Sequence, residues 1–215
     1  MKAAGGTGIL LEGIPGSGKS SVFEGLRQAK RVCSRPEPSR HYYSEHATQR
    51  VLELAAHRGE FGPRDHLAHL EGILDEIARK RESLLSRGFE PDGESGFLYI
   101  LERFHLTHAA YYPYLDWDFL FPLDARLAEM GCRLCLLTVN ARALEERIFR
   151  DRWPGWLDYV RRYGETRGGI IEHYLRQQDE YLHMAKMSAM ECIVEDTSHC
   201  TPDDTLRAVL DSWIP

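Results

Sequence analysis

Short apolar runs alternate along this chain with longer stretches in which apolar residues recur every three or four positions. Gly8-Ile9-Leu10-Leu11-Glu12 opens the series, Phe97-Leu98-Tyr99-Ile100-Leu101 and Cys132 to Val139 continue it, and Cys192-Ile193-Val194 closes it. Unbroken runs of this length fit parallel strands buried on both faces. His41-Tyr42-Tyr43-Ser44 adds a β-prone segment ending at Glu45. Between these runs the spacing predicts helices from about residue 19 to 30, from Ala47 to Ala56, from Asp65 to Arg87 with Gly88 as a stop, and from about Leu123 into Met130. Further helices are predicted from Ala141 through Arg150, from about Glu165 to Lys186, and from Thr205 to Trp213 behind the start signal Thr201-Pro202-Asp203-Asp204. The stretch from Tyr111 towards Leu123 is aromatic and broken by Pro113 and Pro122, and reads as irregular. Strands alternating with helices imply a parallel sheet covered on both sides, with ligands at the carboxyl ends of the strands.

Directly after the first run, Gly13-Ile14-Pro15-Gly16-Ser17-Gly18-Lys19-Ser20 spells G-x-x-x-x-G-K-[ST], with Ser21 next in the following helix. A strand feeding a glycine-rich loop and then a helix is the context this phosphate-binding motif requires, because backbone N–H groups and the helix N-terminus converge on an anion. Gly13, Gly16 and Gly18 let the chain curl without Cβ clashes, and Pro15 and Ser17 complete the loop. Lys19 is suited to reach β- and γ-phosphate oxygens and Ser20 to ligate Mg²⁺. The expected cofactors are therefore ATP and Mg²⁺, with GTP open as an alternative donor.

A second chemical feature is Glu102, an acid that ends the third apolar run as a Walker-B-type strand does; with Ser20 it forms the candidate metal pair. Arg103 follows it. Arg147, Arg150 and Arg152 cluster beside a Trp/Pro/Gly-containing break, an arrangement suited to a lid over about residues 150–166 that balances charge on a transferring phosphoryl group; Arg161 and Arg162 could join from its far side. His105 and His108 lack the partners of a zinc set, so acceptor contact or helix surface is expected of them, and His66 and His69 read as surface residues. Phe104, Tyr111, Tyr112, Tyr114, Trp117 and Phe119 fit either a pocket wall or core packing.

With 27 Lys and Arg against 33 Asp and Glu, the net charge of −6 lacks the basic surplus that a phosphate backbone demands, so nucleic acid is not an expected partner. No window approaches membrane-spanning length, and the odd count of five cysteines suits a reducing compartment; Cys132 and Cys135, inside an apolar run, read as buried strand residues. The expectation is a cytoplasmic protein of one domain spanning residues 1–215, acting on a small-molecule acceptor, with homodimerisation open.

Three pieces resemble the thymidylate kinase and deoxynucleoside kinase branch of P-loop kinases: Leu11-Glu12-Gly13 opening the loop, Glu102-Arg103 after the third strand, and the arginines from Arg147 to Arg152. The resemblance implies a three-layer P-loop NTPase fold with a parallel five-stranded sheet and a helical lid. It implies transfer of the γ-phosphoryl of ATP to a hydroxyl of a nucleoside-like or antibiotic-like compound, or to a nucleoside monophosphate. It also implies a glutamate base after the second strand. Glu45 occupies that place on the better strand, and Glu37-Pro38 competes for it. Arg103, Arg147, Arg150 and Arg152 would join Lys19 and Glu45 as catalytic residues. Arg50, Arg58 and Arg64 are available to clamp a phosphate-bearing acceptor. A nucleotide-dependent regulatory ATPase or switch is the alternative, although the strand that should precede a guanine-reading N-K-x-D ends in Val139-Asn140-Ala141-Arg142.

Overall fold

The computed structural model describes residues 7–56, 62–88, 96–150 and 155–213. In chain order the elements are β1 (Thr7–Glu12), α1 (Lys19–Gln28), α2 (Lys30–Cys33), β2 (Arg40–Tyr43), a π-helical turn (His46–Arg50), α3 (Val51–Ala56), α4 (Pro63–Leu85), β3 (Leu98–Glu102), α5 (His105–Tyr111), α6 (Trp117–Glu129), β4 (Cys132–Thr138), α7 (Ala141–Phe149), α8 (Trp156–Val160), α9 (Arg167–Met187), β5 (Glu191–Asp196) and α10 (Pro202–Trp213). The five strands form one parallel sheet in the order β2-β3-β1-β4-β5.

Alternation along the central strands explains the three layers. Ile9 and Leu11 of β1, Leu98 and Ile100 of β3, and Cys135 and Leu137 of β4 point into one core with Val22, Phe23 and Leu26 of α1 and Val209 and Trp213 of α10. Leu10, Tyr99, Leu101, Leu134 and Leu136 point into the other, with Leu70, Leu74 and Ile77 of α4, Leu120 and Leu127 of α6, and Tyr174 and Tyr181 of α9. Strands sandwiched this way have no polar face, which is why they read as continuous apolar runs. The thiols of Cys132 and Cys135 are free and buried, and burial pushes both upward, Cys132 to about 12.

Three sequence expectations change. The predicted irregular stretch before Leu123 is helical from Trp117, with the Asp116 carboxylate accepting the Phe119 N–H at 2.7 Å as an N-cap. Pro122 lies inside that helix and forfeits one backbone bond; Leu120, Leu123 and Leu127 bury a common face and outweigh the loss. The seven residues of α5 had no predicted counterpart. The helix expected from Ala47 to Ala56 starts instead as a π-helical turn, with Val51 N–H bonded to the His46 carbonyl. Among the described residues no helix is long and apolar enough to cross a membrane.

Candidate active site

The loop between β1 and α1 lies at the carboxyl end of the sheet, and three of its glycines, Gly13, Gly16 and Gly18, have positive φ. Gly13 has φ 140°, and a Cβ there would stand 2.4 Å from the Leu137 carbonyl oxygen; Gly16 has φ 84°, and a Cβ there would stand 3.2 Å from Leu144 Cδ1. Pro15, Gly16, Ser17, Gly18, Lys19, Ser20 and Ser21 line a cleft of about 640 Å³, together with Glu45, Arg50, Arg103, Arg147, Arg150, Trp156, Thr197, Cys200, Pro202 and Thr205. Gly13 and Ile14 are the exceptions among the loop residues, Gly13 lying against β4 and Ile14 in the core.

Lys19 is buried and folds its ammonium back on the loop, Nζ donating to the Ile14 carbonyl at 2.8 Å and to Ser17 Oγ at 3.4 Å. Burial, reinforced by the positive charge of Arg103, lowers its pKa to about 7. A buried ammonium in a glycine-rich loop that leads into a helix N-terminus suits an anionic phosphate. Ser20 Oγ donates to Glu102 Oε1 at 2.8 Å, so the two oxygens named as the metal pair stand side by side. Two hard oxygen ligands supplemented by phosphate oxygens and water suit Mg²⁺.

Across the cleft Glu45 sits between two arginines. Arg50 Nη2 is 2.5 Å from Glu45 Oε1, and Arg103 Nε is 2.9 Å from Glu45 Oε2 at an angle too oblique for a good hydrogen bond. Burial alone would raise the carboxyl, but Arg103 and Arg50 outweigh it and hold Glu45 below the usual glutamate value. The carboxylate is therefore ionised at neutral pH. The Glu45 N–H approaches Glu102 Oε2 at 3.4 Å, so Glu102 touches both the phosphate loop and the Glu45 turn. Arg103 has φ 56°, an uncommon conformation for a side-chain-bearing residue, fixed by its N–H to the Leu11 carbonyl at 3.0 Å and by Nη1 donating to Gln49 Oε1 at 3.1 Å. Gln49 in turn donates to Glu53 at 2.9 Å.

Topology separates the two competing glutamates. Glu37 opens the short 3₁₀ turn that precedes β2, at the amino end of a parallel sheet whose phosphate loop is at the carboxyl end; Glu45 follows β2 at the same end as that loop. Arg50 is bound to Glu45 rather than free to clamp a phosphate, Arg64 is exposed on the first turn of α4, and Arg58 lies outside the described residues.

The arginine cluster is not one unit. Arg147 braces the phosphate loop, with Nη1 donating to the Gly16 carbonyl at 3.1 Å and to Thr197 Oγ1 at 2.8 Å, and Nη2 to the Thr197 carbonyl at 2.5 Å. Arg150 ends α7 and lines the cleft, and Arg152 lies outside the described residues. Arg161 is exposed and ion-paired with Asp158 at 3.1 Å, and Arg162 lies over the Tyr159 ring at 4.4 Å.

Several contributors have contacts that the sequence did not reveal. Glu12 is fully buried, and its carboxylate accepts the N–H groups of Phe104 at 2.7 Å and Thr107 at 3.3 Å and the Thr107 hydroxyl at 2.5 Å, capping α5 from β1. Thr197, just past β5, donates to the Ser17 carbonyl at 3.0 Å. Tyr111 is a partner of the Arg103 guanidinium, and burial pushes its phenol up to about 12. The histidines are further corrections. His66, His105 and His108 are all fully buried, against the surface positions expected for His66 and open to the other two. His105 pairs with Asp124 at 2.9 Å, which also accepts from Ser188 Oγ at 2.7 Å and Ala189 N at 2.6 Å, a structural knot beneath the site. Of the aromatic group, Phe104 is core, whereas Tyr112 and Tyr114 pack on His66. Asn140, where a guanine-reading motif would stand, caps α7 by accepting the Ala143 N–H at 2.9 Å.

Phosphate loop, Ser20–Glu102 pair and parallel sheet together define the P-loop nucleoside-triphosphate fold in its kinase-like form. No protein-family model and no curated protein matches the chain. Among solved structures, it is similar to the YorR protein of Bacillus subtilis in complex with phosphorylated GDP, with 15% identity, a TM-score of 0.53, and 96% of this chain and 95% of that one covered. It is similar also to the thymidylate kinase of Candida albicans, with 14% identity, a TM-score of 0.51, and 97% and 91% covered. At these identities the likeness establishes the shared fold.

Proposed function

We propose that this protein is a P-loop small-molecule kinase that moves the γ-phosphoryl group of Mg-ATP to a hydroxyl acceptor. The observation that carries the reading is the placement of an ionised carboxylate, Glu45, across one cleft from Lys19 and the Ser20–Glu102 pair. A nucleotide-binding module needs the phosphate side alone; a carboxylate aimed at the same cleft is suited to orient an acceptor hydroxyl and receive its proton. In this scheme the acceptor oxygen forms a bond to the γ-phosphorus, the bond from that phosphorus to the β–γ bridging oxygen breaks, and the hydroxyl proton passes to Glu45. Lys19 and Arg103 balance charge on the transferring group, Arg150 and Arg152 contribute from the segment after α7, and Arg147 holds the loop in shape. Ser20 and Glu102 are the residues that would hold Mg²⁺, whose chemistry is neutralisation of the β- and γ-oxygens.

The fold neighbours support a kinase of nucleotides or other small molecules, and the engagement of Arg50 with Glu45 favours a hydroxyl over a phosphate acceptor. The test is ADP release from Mg-ATP across nucleosides, nucleoside monophosphates and hydroxyl-bearing antibiotics, with product mass measured. A phosphorylated hydroxyl compound is expected. ATP binding with no acceptor raising ADP release would favour a regulatory ATPase instead.

A further inference from the structure

Two buried imidazoles stand behind the Glu45 turn. His66 of α4 and His108 of α5 face each other through Nδ1 atoms 3.0 Å apart; His66 Nε2 is 2.9 Å from the Tyr114 hydroxyl, and His108 Nε2 is 2.9 Å from the Thr48 carbonyl oxygen. The partners dictate the protons. A carbonyl oxygen only accepts, so His108 carries its proton on Nε2 and offers a lone pair at Nδ1. His66 must then donate from Nδ1, leaving its Nε2 to accept from Tyr114. The chain of donors runs from Tyr114 through His66 and His108 to Thr48, whose own hydroxyl donates to the Glu102 carbonyl at 2.6 Å. One residue earlier, the Ala47 carbonyl accepts from His69 Nε2 at 2.8 Å. Consecutive carbonyls of the π-helical turn are thus held by imidazoles from two different helices. Turns of this wide kind recur at functional sites.

We propose that His108, oriented by His66, is a positioning residue for the reaction: it fastens, at the Thr48 carbonyl, the turn that aims Glu45 and that the Thr48 hydroxyl ties to Glu102. The inference rests on the role given above to Glu45. Charge on the pair is disfavoured by burial, which lowers His66 and takes His108 down to about 3; His69 and His105 push the same way, the Asp65 carboxylate opposes them at His66, and the Thr48 carbonyl opposes them at His108. Tyr112, whose ring packs on both imidazoles, and Tyr114 are neutral at these pH values. An imidazole kept neutral in the native state but free to protonate in the unfolded chain loses stability as pH falls below the ordinary histidine value of about 6.5.

Two measurements test this on the full-length protein. Nitrogen-15 spectra of histidine-labelled protein at pH 7 should show His66 as the Nδ1–H tautomer and His108 as the Nε2–H tautomer; the opposite tautomers, or an imidazolium at either position, would overturn the assignment. Basal ADP release from Mg-ATP, with water as acceptor, should fall about tenfold in kcat for His108→Leu with the KM for ATP within about twofold. In His108→Gln, whose amide nitrogen can still donate to Thr48, kcat should remain near wild type while the loss of melting temperature between pH 7 and 5 becomes smaller. Equal kcat in wild type, H108L and H108Q would sink the positioning role. If H108L fails to fold, H108Q decides alone, because a tenfold loss there would show that the donor to Thr48 is not what matters. Glu45→Gln measured in parallel separates the two readings: unchanged basal release in E45Q removes the role of Glu45, whereas an impaired E45Q beside a normal H108L removes the role of His108.

Discussion

The two walls of the cleft are built on different principles. The donor wall is backbone from one contiguous octapeptide, Gly13 to Ser20, closed by a lysine and a serine whose positions follow from the loop itself. The acceptor wall is a side-chain network in which Glu45, Gln49, Glu53 and Arg103 come from three segments and brace one another within about 3 Å. A backbone cradle tolerates exchange of most side chains around it, whereas a side-chain network depends on every member, since an unpaired buried charge is costly. Apart from Glu102 and Arg147, whose side chains touch the loop, donor chemistry should therefore be robust to substitutions outside the octapeptide, and acceptor chemistry fragile to them.

The strongest way to break the contrast is at its two reactive groups. Lys19→Met should reduce phosphoryl transfer on the order of 10²–10³-fold while the apo protein keeps its melting temperature, because the ammonium is held by desolvated contacts that cost stability rather than supply it. A melting temperature lowered by many degrees would mean that Lys19 is part of the scaffold. Glu45→Gln should cut turnover by about 10²-fold with ATP affinity within about threefold, and Glu37→Gln should leave turnover at wild type. Loss in Glu37→Gln alone would move the base to the other end of β2 and contradict the parallel-sheet geometry.

A smaller effect distinguishes the arginines that sequence alone joined. Arg147 contacts Gly16 and Thr197, so Arg147→Ala should weaken ATP binding about tenfold, the equivalent of about 1.4 kcal/mol, with kcat nearly unchanged. Binding measured by calorimetry against single-turnover rates separates this from a role on the transferring phosphoryl group, which would lower kcat with affinity preserved.

How much of this was readable follows the same divide. The three central strands and the phosphate loop were legible because burial on both faces leaves apolar runs and because the loop's conformation demands glycine in fixed places; the edge strands β2 and β5, only partly buried, showed as a β-prone tetrapeptide and an apolar triplet. The Ser20–Glu102 pair was legible because one acid ends an apolar strand. The histidines were not: His66 sits on a charged helix at a spacing that resembles surface, and only the packing of α4 against α5 makes it a buried donor to His108. Arg147 reads with Arg150 and Arg152 as one cluster because the three fall within six residues, and its contacts to Gly16 and Thr197 follow from the tertiary placement of α7 beside the phosphate loop. The start of α6 was obscured by Pro122, whose local veto was overridden by burial of three leucines.

The subtlest prediction concerns Lys19 itself. In the folded protein its pKa lies near 7, against 10.5 for an unperturbed lysine, so between those values the unfolded chain binds a proton that the folded one does not. Apo stability should accordingly rise as pH increases from 7 towards 10.5, the reverse of a lysine that gains a partner on folding. Triphosphate beside the ammonium restores its charge, so binding in this window must draw a proton from solution. At pH 8, well above the second phosphate ionisation near about 6, uptake should approach roughly 0.9 proton per site. Calorimetric enthalpies of Mg-ATP binding in buffers of different ionisation heat measure that number directly. Uptake that vanishes in Lys19→Met assigns it to the donor wall; uptake that persists there would place the titrating group among the acceptor-side residues and break the division between the two walls.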